Sequence, residues 1–314
     1  MNSTDDNIPS LDLTRGVQPG RERIVRSAVF LCAAMTVLTT GGIISVLVVH
    51  AADFFADYPV WDFLTGTKWS PAIEPVSYGV LPLVCGTLVI MIGSAIIALP
   101  LGLAAAVYLS EYAGPRVRAV VKPVLEILAG VPTVVYGYFA LVYITPALRG
   151  VFPSISTFNT LSASIVVAIM IIPFVASISE DAIRAVPKSL RMGGYALGAS
   201  KFSVIVRVVI PAGFSGIIAS FILALSRAIG ETMAVTIAAG QSPRLANLLN
   251  LEDTFLQPAE TMTAAMVNIG MSDVTGDSLA YRSLFAIGLV LFCMTFAMNV
   301  LGSWVTSRFQ EKYE

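Results

Sequence analysis

Two oppositely charged residues lie inside a long apolar stretch of this sequence. In the range 208–240 the only Asp, Glu, Lys or Arg residues are Arg227 and Glu231, which stand four positions apart. On a continuous helix this spacing places both side chains on one face. A guanidinium offers planar, permanently charged donors that suit an oxyanion, and a neighbouring carboxylate balances its charge when no oxyanion is bound. The spacing therefore favours an oxyanion-binding pair, or alternatively an ion pair that fixes this helix to its neighbour.

Small residues recur at every fourth position of the same stretch. Such a ridge allows another helix backbone to approach closely. The predicted helix-packing seam consists of Gly216, Ser220, Ala224, Ala228, Thr232, Thr236 and Gly240. Because charged groups inside a membrane are costly and usually functional, we expect this face to meet a partner helix or a water-filled path. A second, similar chain would then complete the path.

The elements that must position these residues are membrane helices. Of the 314 residues, 56% are hydrophobic and only 12% are charged, about half the charged share of a soluble domain. A spanning helix needs roughly 20 mostly apolar residues. Six stretches satisfy this requirement: 28–52, 75–110, 119–148, 150–179, 208–240 and 283–307. The sequence predicts an all-α integral membrane protein with six transmembrane helices.

The positions of Lys and Arg predict how these helices are oriented. Cytoplasmic loops are enriched in both residues, and most of the 19 lie on one side when the N-terminus is placed inside. Both termini are therefore predicted to be cytoplasmic. The predicted organisation is a cytoplasmic tail (1–26), a first transmembrane helix with an outer aromatic segment (27–77), a core transmembrane domain (78–308) containing the loop 180–211, and a cytoplasmic C-terminus (309–314).

Two local patterns predict contacts at the membrane surface. The segment 51–78 is crowded with aromatic residues, which normally mark the lipid headgroup region. Lys122 and Glu126 are four positions apart near Pro123 and Pro132, at the start of the third stretch. We expect them to form an interfacial ion pair at a bent helix start rather than a gate.

Several kinds of chemistry lack their minimal residues. The sequence contains no Gly-Lys pair, so a phosphate-binding loop of the Walker type is absent, as are the G-x-S-x-G and H-E-x-x-H motifs. Cys32, Cys85, Cys293 and the single histidine, His50, are scattered and predict no disulfide framework, metal site or cofactor. We expect a protein that is not an enzyme, has no nucleic-acid partner and receives any energy from another subunit.

The inner loop 180–211 has the strongest local pattern. Gly198 lacks a Cβ, so it can end one helix and turn the chain into the next, and an amphipathic run then leads to Pro211. The pattern predicts a short helix, a turn and a second helix that returns to the membrane. A solvated basic loop is the alternative.

The spacing of this loop resembles a family motif. Gly198, nine residues, Val208, one residue, Ile210 and Pro211 are similar to the cytoplasmic E-A-A motif of type I ABC importer permeases, although Met192 stands at the Glu position. Four other segments resemble the PstC-type permeases of phosphate ABC importers: FLTGTKWSP, LPLGLAAAVYLSEYA, KPVLEILAGVPTVVYG and SRAIGETMAV.

The resemblance implies a fold and a set of partners. The fold is the MetI-like permease fold in the cell membrane, with Arg227 and Glu231 in the substrate pathway. The partners are a second, PstA-like permease, two cytoplasmic PstB-like ATPases and an external PstS-like phosphate-binding protein. The segment implied to dock on an ATPase comprises Gly193, Gly194, Tyr195, Ala196, Leu197, Gly198, Ala199 and Ser200.

Other functions fit the same residues. One arginine and one glutamate do not distinguish phosphate from sulfate, molybdate or phosphonate. A secondary transporter or channel working alone would be expected to contain internal inverted repeats, which are not evident in the sequence. A membrane scaffold or sensor without transport is the third alternative.

Overall fold

The computed structural model describes residues 19–247 and 250–309. Most of the predicted N-terminal tail (1–18) and residues 310–314 of the C-terminal segment lie outside the described residues. By contacts the chain divides into two units, 1–49 and 50–314. The first unit contains the first helix up to residue 49, and the second contains the end of that helix and all later elements.

The described residues are mostly helical. The α-helices are α1 (Pro19–Asp57), α2 (Val60–Thr65), α3 (Leu81–Val107), α4 (Pro115–Ala129), α5 (Thr133–Phe139), α6 (Thr145–Arg149), α7 (Thr160–Ala185), α8 (Lys188–Ala196), α9 (Lys201–Val204), α10 (Ile210–Ala212), α11 (Phe214–Ile229), α12 (Met233–Ala239), α13 (Leu251–Leu256), α14 (Met262–Met271) and α15 (Leu279–Phe309). Three π-helical segments, Tyr108–Tyr112, Ala140–Ile144 and Ile205–Val209, continue α3, α5 and α9. Two short antiparallel strands, β1 (Trp69–Ser70) and β2 (Ser77–Tyr78), are an addition to the predicted all-α fold.

Four helices are long and apolar enough to cross a membrane. They are Glu22–Asp57, Leu81–Tyr112, Thr160–Ala185 and Leu279–Arg308. Two helix pairs reach this length only together, Pro115–Ala129 with Thr133–Arg149 and Lys201–Ala212 with Phe214–Ile229. The described residues therefore contain four candidate spans, or six if each bent pair is one crossing, and six is the predicted number.

The third predicted span is not one continuous helix. α4 and the helical segment after it are bent by 88°, at the point where Gly130 caps α4 and Pro132 precedes α5. Proline has no backbone N–H and disfavours a helical conformation for the residue before it. Pro100 and Pro173, in contrast, lie within α3 and α7, which continue through them.

The fourth and fifth predicted spans also have different bounds. α7 begins at Thr160 rather than at residue 150, because the side chain of Asn159 accepts a hydrogen bond from Ser162 N at 2.7 Å and caps the helix. The predicted fifth span, 208–240, is broken twice. The chain bends by 70° at Gly213, and α11 ends at Ile229 with Gly230 as its cap.

α7 lies at the centre of the second unit. Val167, Ile171 and Val175 on this helix have no exposed surface. Close approach to α3 depends on glycine, since a Cβ added at Gly102 would lie 2.6 Å from the Cβ of Val175. Small residues thus bring α3 against α7, and α7 in turn supports the later helices.

The aromatic residues of the outer segment form a core and not the predicted headgroup belt. Phe54, Phe63, Trp69 and Tyr78 are at least 93% buried, although Trp61 is exposed. Edge-to-face contacts join their rings, with centroids of Phe54 and Phe63 5.4 Å apart. The prediction was wrong for these residues because α2 and the β1–β2 pair fold the segment back onto α3, α14 and α15.

Filling the contact between α3 and α7 should destabilise the protein. We expect Gly102→Leu to lower the midpoint of thermal unfolding in detergent, because overpacking a tight contact costs about 1–3 kcal/mol. Gly41→Leu is the matched control, since a Cβ at Gly41 in α1 has no atom within 4 Å. Equal midpoints for the two variants would contradict the close packing described here.

Candidate functional site

Arg227 presents a charge on the exposed face of α11. Its Cζ atom lies 4.4 Å from the centroid of the Phe174 ring on α7, a cation–π contact. Among the residues that the structure describes, no carboxylate forms an ion pair with Arg227. A permanently charged guanidinium is thus held on an aromatic ring without a counter-ion in the described part of its chain.

Glu231 does not share a helix face with Arg227, so that prediction was wrong. The helix ends between them, because Gly230 caps α11 and α12 begins only at Met233. Glu231 is 8% exposed, and its Oε1 accepts a hydrogen bond from Ala234 N at 3.3 Å. A carboxylate is favourable at a helix start. Glu231 therefore accepts a hydrogen bond from the first turn of α12, and within the described residues it forms no ion pair with Arg227.

The first part of the predicted seam packs within the chain. A Cβ at Gly216 would lie 2.5 Å from the Cβ of Ala182 on α7. The buried hydroxyls of Ser220 and Ser179 are 2.6 Å apart and hydrogen-bonded, and Ala224 and Ala228 are buried as well. The expectation that this face meets a partner helix is confirmed for Gly216 and Ser220, but the helix is α7 of the same chain. This part of the seam therefore gives no evidence for a second chain.

The second part of the seam is separated by the helix break. Thr232, Thr236 and Gly240 follow Gly230, so they do not extend the ridge of α11. Gly240 has φ +83°, a conformation that favours glycine, and it ends α12. Small residues at every fourth position predict a single ridge only if the range 216–240 is one continuous helix.

The first turn of α14 holds the backbone of Glu231. Thr263 Oγ1 donates a 2.8 Å hydrogen bond to the backbone oxygen of Glu231, and Met262 N donates to Thr87 Oγ1 on α3.

Glu260 is 5% exposed, and Asn268 Nδ2 donates to its Oε1 at 2.6 Å. Burial raises the pKa of the Glu260 carboxyl, with the Asn268 hydrogen bond acting in the opposite direction. The sequence analysis did not single out Glu260. The only feature that could have indicated it is an acidic residue among small and apolar neighbours.

Glu180, near the C-terminal end of α7, contacts three positively charged side chains. Its side chain is 2% exposed, and it contacts Arg118 at 2.6 Å, Lys122 at 2.9 Å and Arg184 at 3.7 Å. Buried charges require such pairing. Lys122 also bonds Asp181 at 2.8 Å.

The predicted pair of Lys122 with Glu126 was therefore wrong. Lys122 turns toward Glu180 and Asp181 on α7, whereas Glu126 is exposed. The preference has a physical reason, since a buried carboxylate needs a nearby cation far more than an exposed one does. Sequence spacing within α4 could not reveal a partner located on another helix.

The inner loop has the predicted helix–turn–helix shape, which is confirmed. α8 ends at Ala196, Gly198 has φ +76°, and α9 begins at Lys201. Gly198 N donates to Tyr195 O at 2.9 Å, and this left-handed turn favours glycine. Ser200 Oγ accepts a hydrogen bond from Ser203 N and caps α9.

Large apolar side chains project from this loop. Leu197 is 89% exposed, the largest exposed fraction of any large apolar residue in the described part of the chain. The apolar residues Met192, Tyr195, Leu197 and Phe202 together are called the coupling surface. Exposed apolar groups gathered on a polar loop indicate a protein contact. Met192 stands at the glutamate position of the motif that this loop resembles, and it makes this surface more apolar.

Comparison with known families identifies the protein's family. The family model described as "Binding-protein-dependent transport system inner membrane component" matches residues 98–313. The chain belongs to this family. The match includes the coupling surface, Arg227 and Glu231, and the predicted location in the cell membrane is confirmed.

Individual relatives are phosphate and ABC transporter permeases by name. The chain is 36% identical over 247 residues to the probable ABC transporter permease protein YqgH of Bacillus subtilis, covering 79% of this chain and 78% of the relative. It is 36% identical over 270 residues to the phosphate transport system permease protein PstC of Xylella fastidiosa, covering 80% of each. The predicted resemblance to PstC-type permeases is confirmed.

A solved structure shares the fold. A chain in the crystal structure of a bacterial alginate ABC transporter, in complex with its alginate pentasaccharide-bound periplasmic protein, superposes with a TM-score of 0.61. It covers 93% of this chain and 99% of its own length at 13% identity. The predicted type I importer permease fold is confirmed.

Replacing Glu260 should stabilise the protein at high pH. Burial raises the pKa of the Glu260 carboxyl in the folded state, whereas in the unfolded chain its pKa is about 4.3. The folded state therefore holds the proton more strongly, and stability falls as pH rises from the unfolded toward the folded pKa. Glu260→Gln keeps an acceptor for Asn268, so its midpoint of thermal unfolding should exceed wild type at pH 8. The difference should shrink toward pH 4.

The exposed Glu252 is the matched control for this experiment. Glu252→Gln should leave the midpoint unchanged at both pH values. A Glu260→Gln variant with a midpoint at or below wild type at pH 8 would contradict the burial cost assigned to Glu260.

Proposed function

We propose that this chain is a PstC-type permease subunit of a phosphate ABC importer. With a second permease it forms the transmembrane path for inorganic phosphate. The chain performs no catalysis, and cytoplasmic ATPase subunits drive the pair between inward-open and outward-open states. Family membership and the PstC relatives support this function.

The unpaired charge of Arg227 carries the proposal. A charge facing lipid is costly, and no carboxylate of the described chain balances this one. Its exposed face must therefore border water or a second chain. A guanidinium suits phosphate because its donors bind two oxygens of an oxyanion at once. The ring of Phe174 holds the group in place without neutralising it.

A second permease subunit follows from the same geometry. Arg227 is open on the surface of a single chain, so one chain supplies only one wall of an enclosed path. The helix-packing seam does not support a second subunit, since Gly216 and Ser220 pack on α7 of the same chain. We infer that a PstA-like chain faces α11 at Arg227 and closes the path.

Phosphate would reach this path from outside through a PstS-like binding protein. The family description names binding-protein-dependent transport, which supports such a partner. The outer elements α2, α14 and the β1–β2 pair pack into one cluster around Phe54 and Phe63. This compact outer layer can receive a docked protein without unfolding.

Two PstB-like ATPases would dock on the inner side, one on each permease. The coupling surface supports this assignment, because Leu197 and Met192 are exposed by 89% and 66%. With Met192 in place of the family's glutamate, we infer that the contact is mainly apolar.

Changing Arg227 tests the substrate path. In proteoliposomes containing the complete transporter, Arg227→Gln should reduce labelled phosphate uptake by at least about tenfold, because charge-assisted bonds to an oxyanion are lost. Arg227→Lys keeps the charge but loses the two-point geometry, so intermediate uptake is expected. Arg149→Lys, at another exposed arginine, is the control and should transport normally.

Anion competition separates phosphate from the alternative oxyanions. Unlabelled phosphate should suppress uptake, whereas sulfate, molybdate and phosphonate should not. Unchanged uptake by Arg227→Gln in a fully assembled complex would exclude Arg227 from the path. If another oxyanion competed more strongly than phosphate, that oxyanion and not phosphate would be identified as the substrate.

Changing Leu197 tests the ATPase contact. Leu197→Asp places a charge on an apolar contact, so the ATPase should no longer co-purify with the permease pair. Leu251→Asp is the matched control, because Leu251 is also exposed, at 61%, but lies on the outer helix α13. Retention of the ATPase by Leu197→Asp would show that docking occurs elsewhere.

A further inference from the structure

The π-helical segment at the end of α3 contacts both helices of the inner loop. Glu111 Oε1 lies 3.2 Å from Arg191 Nη2 on α8. The adjacent Tyr112 ring lies 4.4 Å from Lys201 Nζ at the start of α9. Two neighbouring residues of one span therefore hold the helix before Gly198 and the helix after it.

Arg191 also binds the end of α7. Its Nη2 donates a 2.7 Å hydrogen bond to the backbone oxygen of Ile183. The side chains of Glu111 and Arg191 are only 8% and 20% exposed, so solvent screens their interaction weakly. One arginine thus joins the inner loop to two separate spans, α3 and α7.

The π-helical geometry explains how Glu111 reaches the loop. Ala113 N bonds Tyr108 O, five residues earlier, at 2.8 Å. A π segment widens the turn by about one residue and rotates the side chains that follow. Such segments occur frequently at functional sites. Here the rotation brings Glu111 and Tyr112 to the side of α3 that contacts α8 and α9.

The Glu111–Arg191 pair has a second contact available. Within the described residues, Arg191 Nε is buried without a hydrogen-bond partner. An arginine can present Nε and Nη2 together to the two oxygens of a carboxylate. Since Nη2 alone is engaged, a small shift of α8 relative to α3 could convert a one-point contact into a two-point contact.

Apolar packing makes this region one block. Ala106 on α3, Ile183 on α7, Val204 on α9 and Ile217 on α11 belong to a single buried cluster. α7 then continues from Ile183 to Phe174, nine residues or about 14 Å along the helix. Phe174 is the residue that supports Arg227. A continuous set of contacts therefore connects the inner loop with Arg227.

We propose that Glu111 and Arg191 are positioning residues that transmit displacement of the inner loop to α3 and α7. Because of this contact, ATP-driven displacement of α8 also displaces α3 and α7. The displacement of α7 then reaches Arg227. Lys201 on Tyr112 holds the other half of the loop to the same segment. The proposal rests on the proposed function, because it requires an ATPase docked on the coupling surface.

The test measures coupling rather than assembly. The complete transporter, with the second permease, ATPases and phosphate-binding protein, is reconstituted with Glu111→Gln, Arg191→Lys or both. ATPase co-purification should match wild type, and ATP hydrolysis should continue. Phosphate uptake per ATP hydrolysed should fall about fivefold or more in each single variant. The double variant should lose little beyond either single one, since the two residues act together.

Asp181→Asn is the matched control, because Asp181 is an exposed acid that contacts a cation in the same region. It should retain the wild-type ratio of uptake to hydrolysis. An unchanged ratio in Glu111→Gln and Arg191→Lys would overturn the proposal, and so would loss of the ATPase from both variants, because the pair would then act in docking.

The wild-type complex distinguishes this proposal from the proposed function. If wild type takes up no phosphate, the proposed function fails and the inference fails with it. If wild type transports phosphate and the variants keep its ratio of uptake to hydrolysis, only the role of Glu111 and Arg191 is overturned.

Discussion

A charge removed from water needs an opposite charge, a set of donors or a water-filled surface nearby. Glu180 meets this constraint inside the chain, since Arg118, Lys122 and Arg184 surround it. Glu231 meets it by accepting a hydrogen bond from the first turn of α12. Arg227 does not, because its described contact is a ring and not a carboxylate. The difference separates the charges that hold the fold together from the charge that is left available for a ligand.

The helix α7 links these charges. It carries Glu180 and the Ile183 oxygen at its inner end, Phe174 below Arg227, and Ser179 against α11. Because small residues bring its neighbours so close, α7 has little freedom to move independently of them. Movement of the inner loop is therefore more readily passed along α7 than absorbed near the loop. In the proposed transporter, this gives a physical basis for coupling between an ATPase and a distant anion path.

Breaks in the helices changed the interpretation of the site. Arg227 and Glu231 were expected to act as a pair because a spacing of four means one face on a continuous helix. Gly230 ends α11 between them, and the Glu231 side chain accepts a hydrogen bond from the start of α12 instead. The same break divides the seam and removes it as an argument for a second permease. The unpaired guanidinium of Arg227 supports that partner more directly than periodicity did.

The sequence by itself determined the number of apolar spans, the turn at Gly198 and the resemblance to PstC-type permeases, because hydropathy and glycine conformation depend on residues close in the chain. Tertiary structure alone decided that Lys122 pairs with Glu180, that Phe54 and Tyr78 are buried, and that Glu111 meets Arg191. These partners are far apart in sequence. Packing brings them together, and desolvation then selects which charges must pair.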